Sequence, residues 1–291
     1  MIKNICFWLK NSRLFSLPMT LLSWLVVFVY SLKLGGNILN GVLALVGISF
    51  AHLATNLFDD YVDYKNLPEN SQKCKCAYIK DGSATINDVL KVVIAYLAIA
   101  AGMGFILLLR CGFSVVVLAI IGGIITLIYA KLSQRGLSEL AVGTAFGPLL
   151  FEGVYFVMTG RFSWTVFVMS IAVVMFTIGM MYVHTVLDFE GDMNVHKMTL
   201  ACRLGDKNKA INGVFVLYGI AYAATVLLVF MLKNYYLVLT FLLIPLVFKL
   251  YNSLKTYTCG GDVNEFYYRL LQARNLMVYY SLILILCLIV V

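Results

Sequence analysis

The sequence predicts an all-α fold, a polytopic membrane bundle of about nine transmembrane helices, and three observations predict it. The 291 residues are 62% hydrophobic and only 12% charged, with a mean hydropathy of +0.92, far from the roughly 25% charged make-up of soluble domains. Apolar runs close to the ~20 residues needed to cross about 30 Å of hydrocarbon recur from end to end. The runs also lack the short alternation of a membrane barrel, whereas a helix satisfies its own backbone groups in lipid.

In chain order the spans fall at 15–34, 37–58, 89–109, 112–130, 138–158, 163–186, 210–232, 235–253 and 273–291. The first follows Lys3, Lys10 and Arg13, as the apolar part of a signal peptide would. It continues to Leu34 without a small-x-small cleavage site and is read as a helix. No long polar stretch separates the runs, so residues 1–291 are expected to form a single domain. Of the 22 Lys and Arg, all but Lys33, Arg110, Arg161 and Lys233 fall in alternate segments that include the N-terminus. Cytoplasmic loops carry that excess, which puts the N-terminus on the cytoplasmic side of the membrane, expected to be a bacterial plasma membrane, and the C-terminus outside.

The net charge of +8 is thus mostly topological, with a share left to attract anionic headgroups. Nucleic-acid binding would need a soluble basic surface that the sequence lacks. The seven cysteines are scattered and are expected to be reduced thiols. Cys74-Lys-Cys76 has neither the two-residue gap nor the second pair of a zinc site.

The chemistry is carried by the acids. Of the 14 Asp and Glu, all but Glu152 lie in segments assigned to the cytoplasmic side, and two groups sit at helix ends. Asn56, Asp59, Asp60 and Asp63 stand where the chain leaves the second span; Asp188, Glu190 and Asp192 stand where it leaves the sixth. On a helix Asn56, Asp60 and Asp63 share a face, as do Asp188 and Asp192, and like charges so placed repel. A hard divalent cation relieves that repulsion, and Mg²⁺ in particular is held by one or two carboxylates plus substrate phosphates. The alternative is that membrane-protein loops are simply polar. Two acidic groups at equivalent helix ends, each followed by basic residues, favour function over that reading. Lys131, Arg135, Lys197 and Arg203 are candidate phosphate contacts, equally readable singly as positive-inside residues. Together acids and bases form a charged cap on a greasy bundle, suited to a diphosphate head with an isoprenoid tail.

At these residues the chain resembles the UbiA superfamily of intramembrane prenyltransferases, and within it the 1,4-dihydroxy-2-naphthoate branch of menaquinone biosynthesis. Three blocks carry the resemblance: N-L-F-D-D-Y-V-D-Y-K at 56–65, with Asp59 where Asn is usual; R-G-L-S-E-L-A-V-G-T-A-F-G-P-L at 135–149; and D-F-E-G-D-M-N-V-H-K-M-T-L-A-C-R-L-G at 188–205. It implies nine helices, two Mg²⁺ ions bridging a polyprenyl diphosphate to both motifs, and a lateral opening for the lipid tail. It also implies that Asn56, Asp60, Asp63, Asp188 and Asp192 bind metal, with Asp59 as a contributor, and that the four aspartates Asp60, Asp63, Asp188 and Asp192 are essential to catalysis. Four positions depart from the pattern: Leu67 stands where many relatives have Asp, Thr185 and Leu187 stand where the naphthoate branch has Asn and Arg, and His196 replaces a common Gly. These put the acceptor, not the diphosphate chemistry, in question.

The expected reaction is electrophilic substitution on an aromatic acceptor after ionisation of the allylic C–O bond, with apolar walls excluding water from the carbocation. Tyr129, Phe146, Tyr155 and Tyr182 are candidate π faces, although packing is the commoner duty of an aromatic residue in so aromatic a chain. His184, one turn before Asp188, reads as a general base or acceptor contact, or else as a packing histidine. Glu152, deep in the fifth span, is expected to be protonated or paired. Alternatives within the same fold are a different phenolic acceptor such as 4-hydroxybenzoate, or cyclisation of the diphosphate. A secondary transporter is the alternative from another class, but its acids belong near the midplane.

Overall fold

The computed structural model describes residues 5–66, 76–194, 198–258 and 262–290. Among these residues every regular element is helical. A short α1 (Ile5–Asn11) leads through a 3-10 turn (Leu14–Ser16) into α2 (Leu17–Lys33), followed by α3 (Ile38–Asn66), the single turn α4 (Ala77–Lys80), α5 (Ile86–Cys111) and α6 (Ser114–Gln134). Next come α7 (Ser138–Thr144), a π-helical turn (Ala145–Leu149), α8 (Leu150–Thr159), α9 (Trp164–Leu187), α10 (Phe189–Asn194) and α11 (Leu200–Arg203). The chain finishes with α12 (Lys207–Leu232), a 3-10 stretch (Tyr235–Leu243), α13 (Ile244–Lys255) and α14 (Val263–Val290).

Eight of these helical stretches are long and apolar enough to cross a bilayer, and Ser114–Tyr129 adds a shorter apolar one, in keeping with about nine spans. The two largest departures from the sequence reading are at the end of α3 and the start of α14. α3 does not stop at residue 58 but runs to Asn66, so one continuous helix carries the whole of the first acidic group. α14 starts at Val263, ten positions before the expected 273. The physical reason is the same in both: hydropathy marks the part of a helix that dissolves in lipid, while the i→i−4 ladder continues into polar residues.

By contact the chain groups into two compact units, each assembled from two separate pieces. The first comprises residues 1–21 and 37–131. In it α3 packs along α5, and Trp8, Leu57, Tyr78, Val89 and Val93 form a buried cluster. Tyr78 meets Phe7 and Trp8 edge-on, at 6.1 and 6.5 Å between ring centres. α5 begins at a capping box, in which Thr85 accepts from the Asp88 N–H and Asp88 accepts from the Thr85 N–H, satisfying two otherwise orphaned donors.

The second unit comprises residues 22–36 and 132–291, and α9 is its axis, packed against α12 and α14. Phe176 of α9 stacks on Tyr280 at 4.1 Å and tilts against Tyr218 at 5.0 Å. The helical path through α7 and α8 kinks at Gly147, with φ −92° and ψ −115°, immediately before Pro148. Proline lacks the N–H of the ladder and its ring crowds the preceding turn, so the break falls there.

Glu152 of α8 has a structural partner: its Oε2 accepts a hydrogen bond from the backbone N–H of Ser163 at 3.1 Å, at the start of α9. A carboxylate there satisfies an orphan donor and meets the positive end of the helix dipole. Glu152→Gln, which keeps a carbonyl acceptor, should therefore melt within a few tenths of a kcal/mol of wild type, and Glu152→Leu about 1 kcal/mol below it. Thermal unfolding in detergent measures the difference, and equal loss in both variants would contradict the cap.

Candidate active site

The first acidic group sits on the last turns of α3, where Asp59, Asp60 and Asp63 are 2%, 1% and 4% exposed and Asn56 is buried beside them. Carboxylates so deeply buried need compensating charge or hydrogen bonds. Arg13, from the turn between α1 and α2, supplies much of it: its Nη2 contacts Asp60 Oδ1 and its Nη1 lies 3.4 Å from Asp59 Oδ2. The Tyr78 hydroxyl donates to Asp60 Oδ2 at 3.2 Å, and the Cys76 thiol donates to the Asp60 carbonyl at 3.4 Å. Burial opposes the Arg13 charge, but Asp60 and Asp59 outweigh it, leaving the guanidinium pKa above its ordinary value. Burial, then the Asp60 charge, raises the Tyr78 phenol as well, so this hydroxyl stays a donor.

Asn56 is fixed by its amide nitrogen, which donates to the Ser12 carbonyl at 2.9 Å and to Ser16 Oγ at 3.1 Å. Both amide hydrogens are thereby used, and Oδ1 is the side chain's acceptor. Arg13 itself adopts a left-handed conformation, φ 59° and ψ 50°, unusual for a side chain of this size. The Ser16 hydroxyl donates to its carbonyl at 2.8 Å.

The second acidic group belongs to the other unit. Asp188 caps the C-terminus of α9, and one helical turn on, the Asp192 N–H donates to the Asp188 carbonyl at 2.8 Å. The Asp188 side chain is 41% exposed, with His184 Nδ1 3.3 Å from its Oδ2, whereas Asp192 is buried. The shared helical face is thus present, with unequal burial of its two acids. His184 also meets the Phe266 ring edge-on at 5.4 Å.

The tail of the second motif packs on the block at 135–139. Gly136 has φ +67°, and a Cβ there would lie 1.6 Å from the Met198 carbonyl oxygen. Arg203 Nη2 donates to the Arg135 carbonyl at 2.9 Å, so one candidate phosphate contact is partly engaged in holding the other's backbone. Lys131 and Arg135 are exposed. Lys197, His196 and Leu67 lie outside the described residues, as does Cys74. Tyr182 donates its hydroxyl to the Ala210 carbonyl at 2.6 Å, and Tyr155 stacks on Tyr30 at 6.1 Å; both have packing roles.

An all-oxygen donor set of carboxylates and one amide suits a hard cation. Among the described residues no three His, Cys, Asp or Glu side chains are grouped to hold a metal by themselves. The sequence reading missed Tyr78 and the Asn56 anchor Ser16, and it took Arg13 only as a topological charge. Arg13 lies 46 residues from Asp59, and no local pattern links them.

The family model described as the UbiA prenyltransferase family matches residues 16–272. The chain belongs to the UbiA prenyltransferase family. No curated protein sequence matches it. Solved UbiA-fold structures do: one from work on a digeranylgeranylglyceryl phosphate synthase in membranes is 17% identical with a TM-score of 0.68, covering 98% of each chain. An apo UbiA homologue from Aeropyrum pernix K1 is 18% identical with a TM-score of 0.68, over 93% of this chain and 97% of that one. A UbiA homologue from Archaeoglobus fulgidus, bound to GPP and Mg²⁺, is 13% identical with a TM-score of 0.59, over 96% of this chain and 99% of that one. At these identities the likeness is one of fold. Membership of the UbiA family makes the protein a prenyltransferase and sets the transporter alternative aside.

Proposed function

We propose that this UbiA-family protein transfers a prenyl group from a Mg²⁺-bound polyprenyl diphosphate to an aromatic acceptor, 1,4-dihydroxy-2-naphthoate. The observation that supports the diphosphate half is the group of three buried carboxylates beside the Asn56 amide on one helix end, of which Arg13 pairs with two, since acids held at a membrane boundary commonly mark a functional site. Asn56, Asp60 and Asp63 of the first motif, and Asp188 and Asp192 of the second, are the proposed ligands, with Asp59 contributing. When bound, Mg²⁺ supplies charge neutralisation on the departing diphosphate. Lys131, Arg135, Lys197 and Arg203 orient phosphate oxygens in this reading, His184 holds Asp188 and meets the acceptor, and the apolar helix walls keep water from the carbocation. The basic loops support a bacterial plasma-membrane protein with its N-terminus and reacting end on the cytoplasmic side.

The acceptor rests on the blocks at 135–149 and 188–205. A second reading, a less polar or non-naphthoate acceptor, is favoured by one observation: Thr185 donates its hydroxyl back to the Tyr182 carbonyl at 2.9 Å and Leu187 is buried, so neither offers a cation to a ring carboxylate. The purified protein, given a prenyl diphosphate with 1,4-dihydroxy-2-naphthoate and 4-hydroxybenzoate side by side, should prenylate the bicyclic acid, lose activity with chelator and regain it with Mg²⁺. Mass spectrometry of extracted lipids reads the products. Transfer to the monocyclic acid alone, or to neither, would remove the naphthoate assignment, and diphosphate release without any acceptor would favour cyclisation.

A further inference from the structure

One turn before Asn56 on the same stripe of α3 stands His52, and it joins two hydroxyls of the N-terminal segment. His52 Nε2 is 3.1 Å from Ser16 Oγ, and His52 Nδ1 is 2.7 Å from Thr20 Oγ1. The Ser16 hydroxyl has one hydrogen, and it is donated to the Arg13 carbonyl at 2.8 Å. Its two lone pairs face the Asn56 amide nitrogen at 3.1 Å and His52 Nε2 at 3.1 Å. Both of those nitrogens must therefore donate. In the neutral ring, a hydrogen on Nε2 leaves Nδ1 as the acceptor, and the Thr20 hydroxyl donates to it.

From this inventory we infer that His52 is a positioning residue for the first acidic motif: held by Thr20 as the Nε2–H tautomer, it fixes Ser16, and Ser16 fixes both the Asn56 amide and the Arg13 turn. The chain of donors has one direction, Thr20 to His52 to Ser16 to the Arg13 carbonyl. Were Nε2 bare, Ser16 would turn its hydrogen to the ring and withdraw the side-chain donor from the Arg13 carbonyl, which would keep only the Ser16 backbone N–H. That carbonyl sits in the left-handed turn from which the guanidinium reaches Asp59 and Asp60. Partners one step removed from a ligand commonly change metal affinity about 10–100-fold when lost. The inference rests on the Mg²⁺-diphosphate reading of the motif proposed above.

The test is filter binding of radiolabelled inorganic diphosphate to the full-length protein in detergent, with and without Mg²⁺. His52→Leu should weaken Mg²⁺-dependent binding about tenfold. His52→Gln, whose amide nitrogen can stand near the place of Nε2, should stay within about threefold of wild type, while His52→Asn, which is too short to reach Ser16, should behave as the leucine variant. Adding Ser16→Ala to His52→Leu should cost little more than the worse single change, because both lie on one path. Equal weakening in the Gln and Leu variants, or none in the Leu variant, would overturn the inference. Asp60→Asn separates the two readings: if it binds like wild type, or if wild type shows no Mg²⁺-dependent binding, the metal-diphosphate reading fails and not the role of His52 alone. Should the Leu variant not fold, ¹⁵N-histidine spectra of the wild-type protein decide. A protonated Nε2 with a bare Nδ1 at His52 is expected, and the opposite tautomer would refute the relay.

Discussion

Asp60→Asn is expected to lower prenyl transfer about a thousandfold or more, roughly 4 kcal/mol of transition-state stabilisation, while the protein still inserts and melts cooperatively. The two effects separate because Asp60 has two roles. As a proposed ligand its charge is irreplaceable by an amide. As a structural residue, its hydrogen bond from Tyr78 survives, since the amide oxygen still accepts, and Arg13 keeps Asp59 as a partner. The melting loss should therefore stay near 1–2 kcal/mol. Asp60→Leu, which also abandons the Tyr78 hydroxyl and half of the Arg13 pairing in a buried setting, should lose about 3 kcal/mol or more. Turnover of the Asn variant near that of wild type would remove Asp60 from the metal site, whatever its effect on stability.

Gly136→Ala should be the most damaging single-atom-scale change in the second unit. The left-handed backbone at Gly136 alone costs a side-chain-bearing residue about 1–2 kcal/mol. The added Cβ would also stand 1.6 Å from the Met198 carbonyl oxygen and 2.7 Å from the Thr199 Cα, backbone atoms that no rotamer change can move away. We expect a loss of more than about 3 kcal/mol, with turnover reduced further because the displaced segment is the tail of the second acidic motif. Gly205→Ala is the control: φ is +73°, but open space surrounds its Cβ position, so only the backbone cost applies. If the two variants melt alike, the packing of the 135–139 block on Met198 carries no weight.

The parts of this molecule that were legible in the sequence are those written in local patterns. Span positions follow from runs of apolar residues, and the acidic stripe follows from the i, i+4, i+7 spacing of Asn56, Asp60 and Asp63. The misjudged ends of α3 and α14 have one cause, since the apolar run breaks off where Asp59 or Arg269 enters although the helix does not end. The kink at Gly147-Pro148 and the cap by Glu152 needed the fold, the second because its partner Ser163 belongs to the following helix. Arg13, Tyr78 and Ser16 reach the first motif across 18 to 47 residues of chain, and nothing in a linear pattern announces such partners. His52 was the exception that local reading had within range, being four residues before Asn56 on the same helical stripe.

The division of α2 between the two units bears on how the protein is made. Residues 1–21 and 37–131 of the first unit are all available once Lys131 has left the ribosome, but residues 22–36 belong with 132–291. Tyr30 stacks on Tyr155, and Lys33 Nζ donates to the carbonyl of Leu288, 255 residues later. The far half of α2 must therefore wait in the bilayer while the 255 residues after Lys33, up to Leu288, are made before that partner arrives. Its apolar residues wait cheaply, because lipid tails solvate Val26 and Val27 about as well as protein does. Lys33, at the end of the helix, can wait by extending its ammonium to the headgroups, and it is α14 that then takes it in.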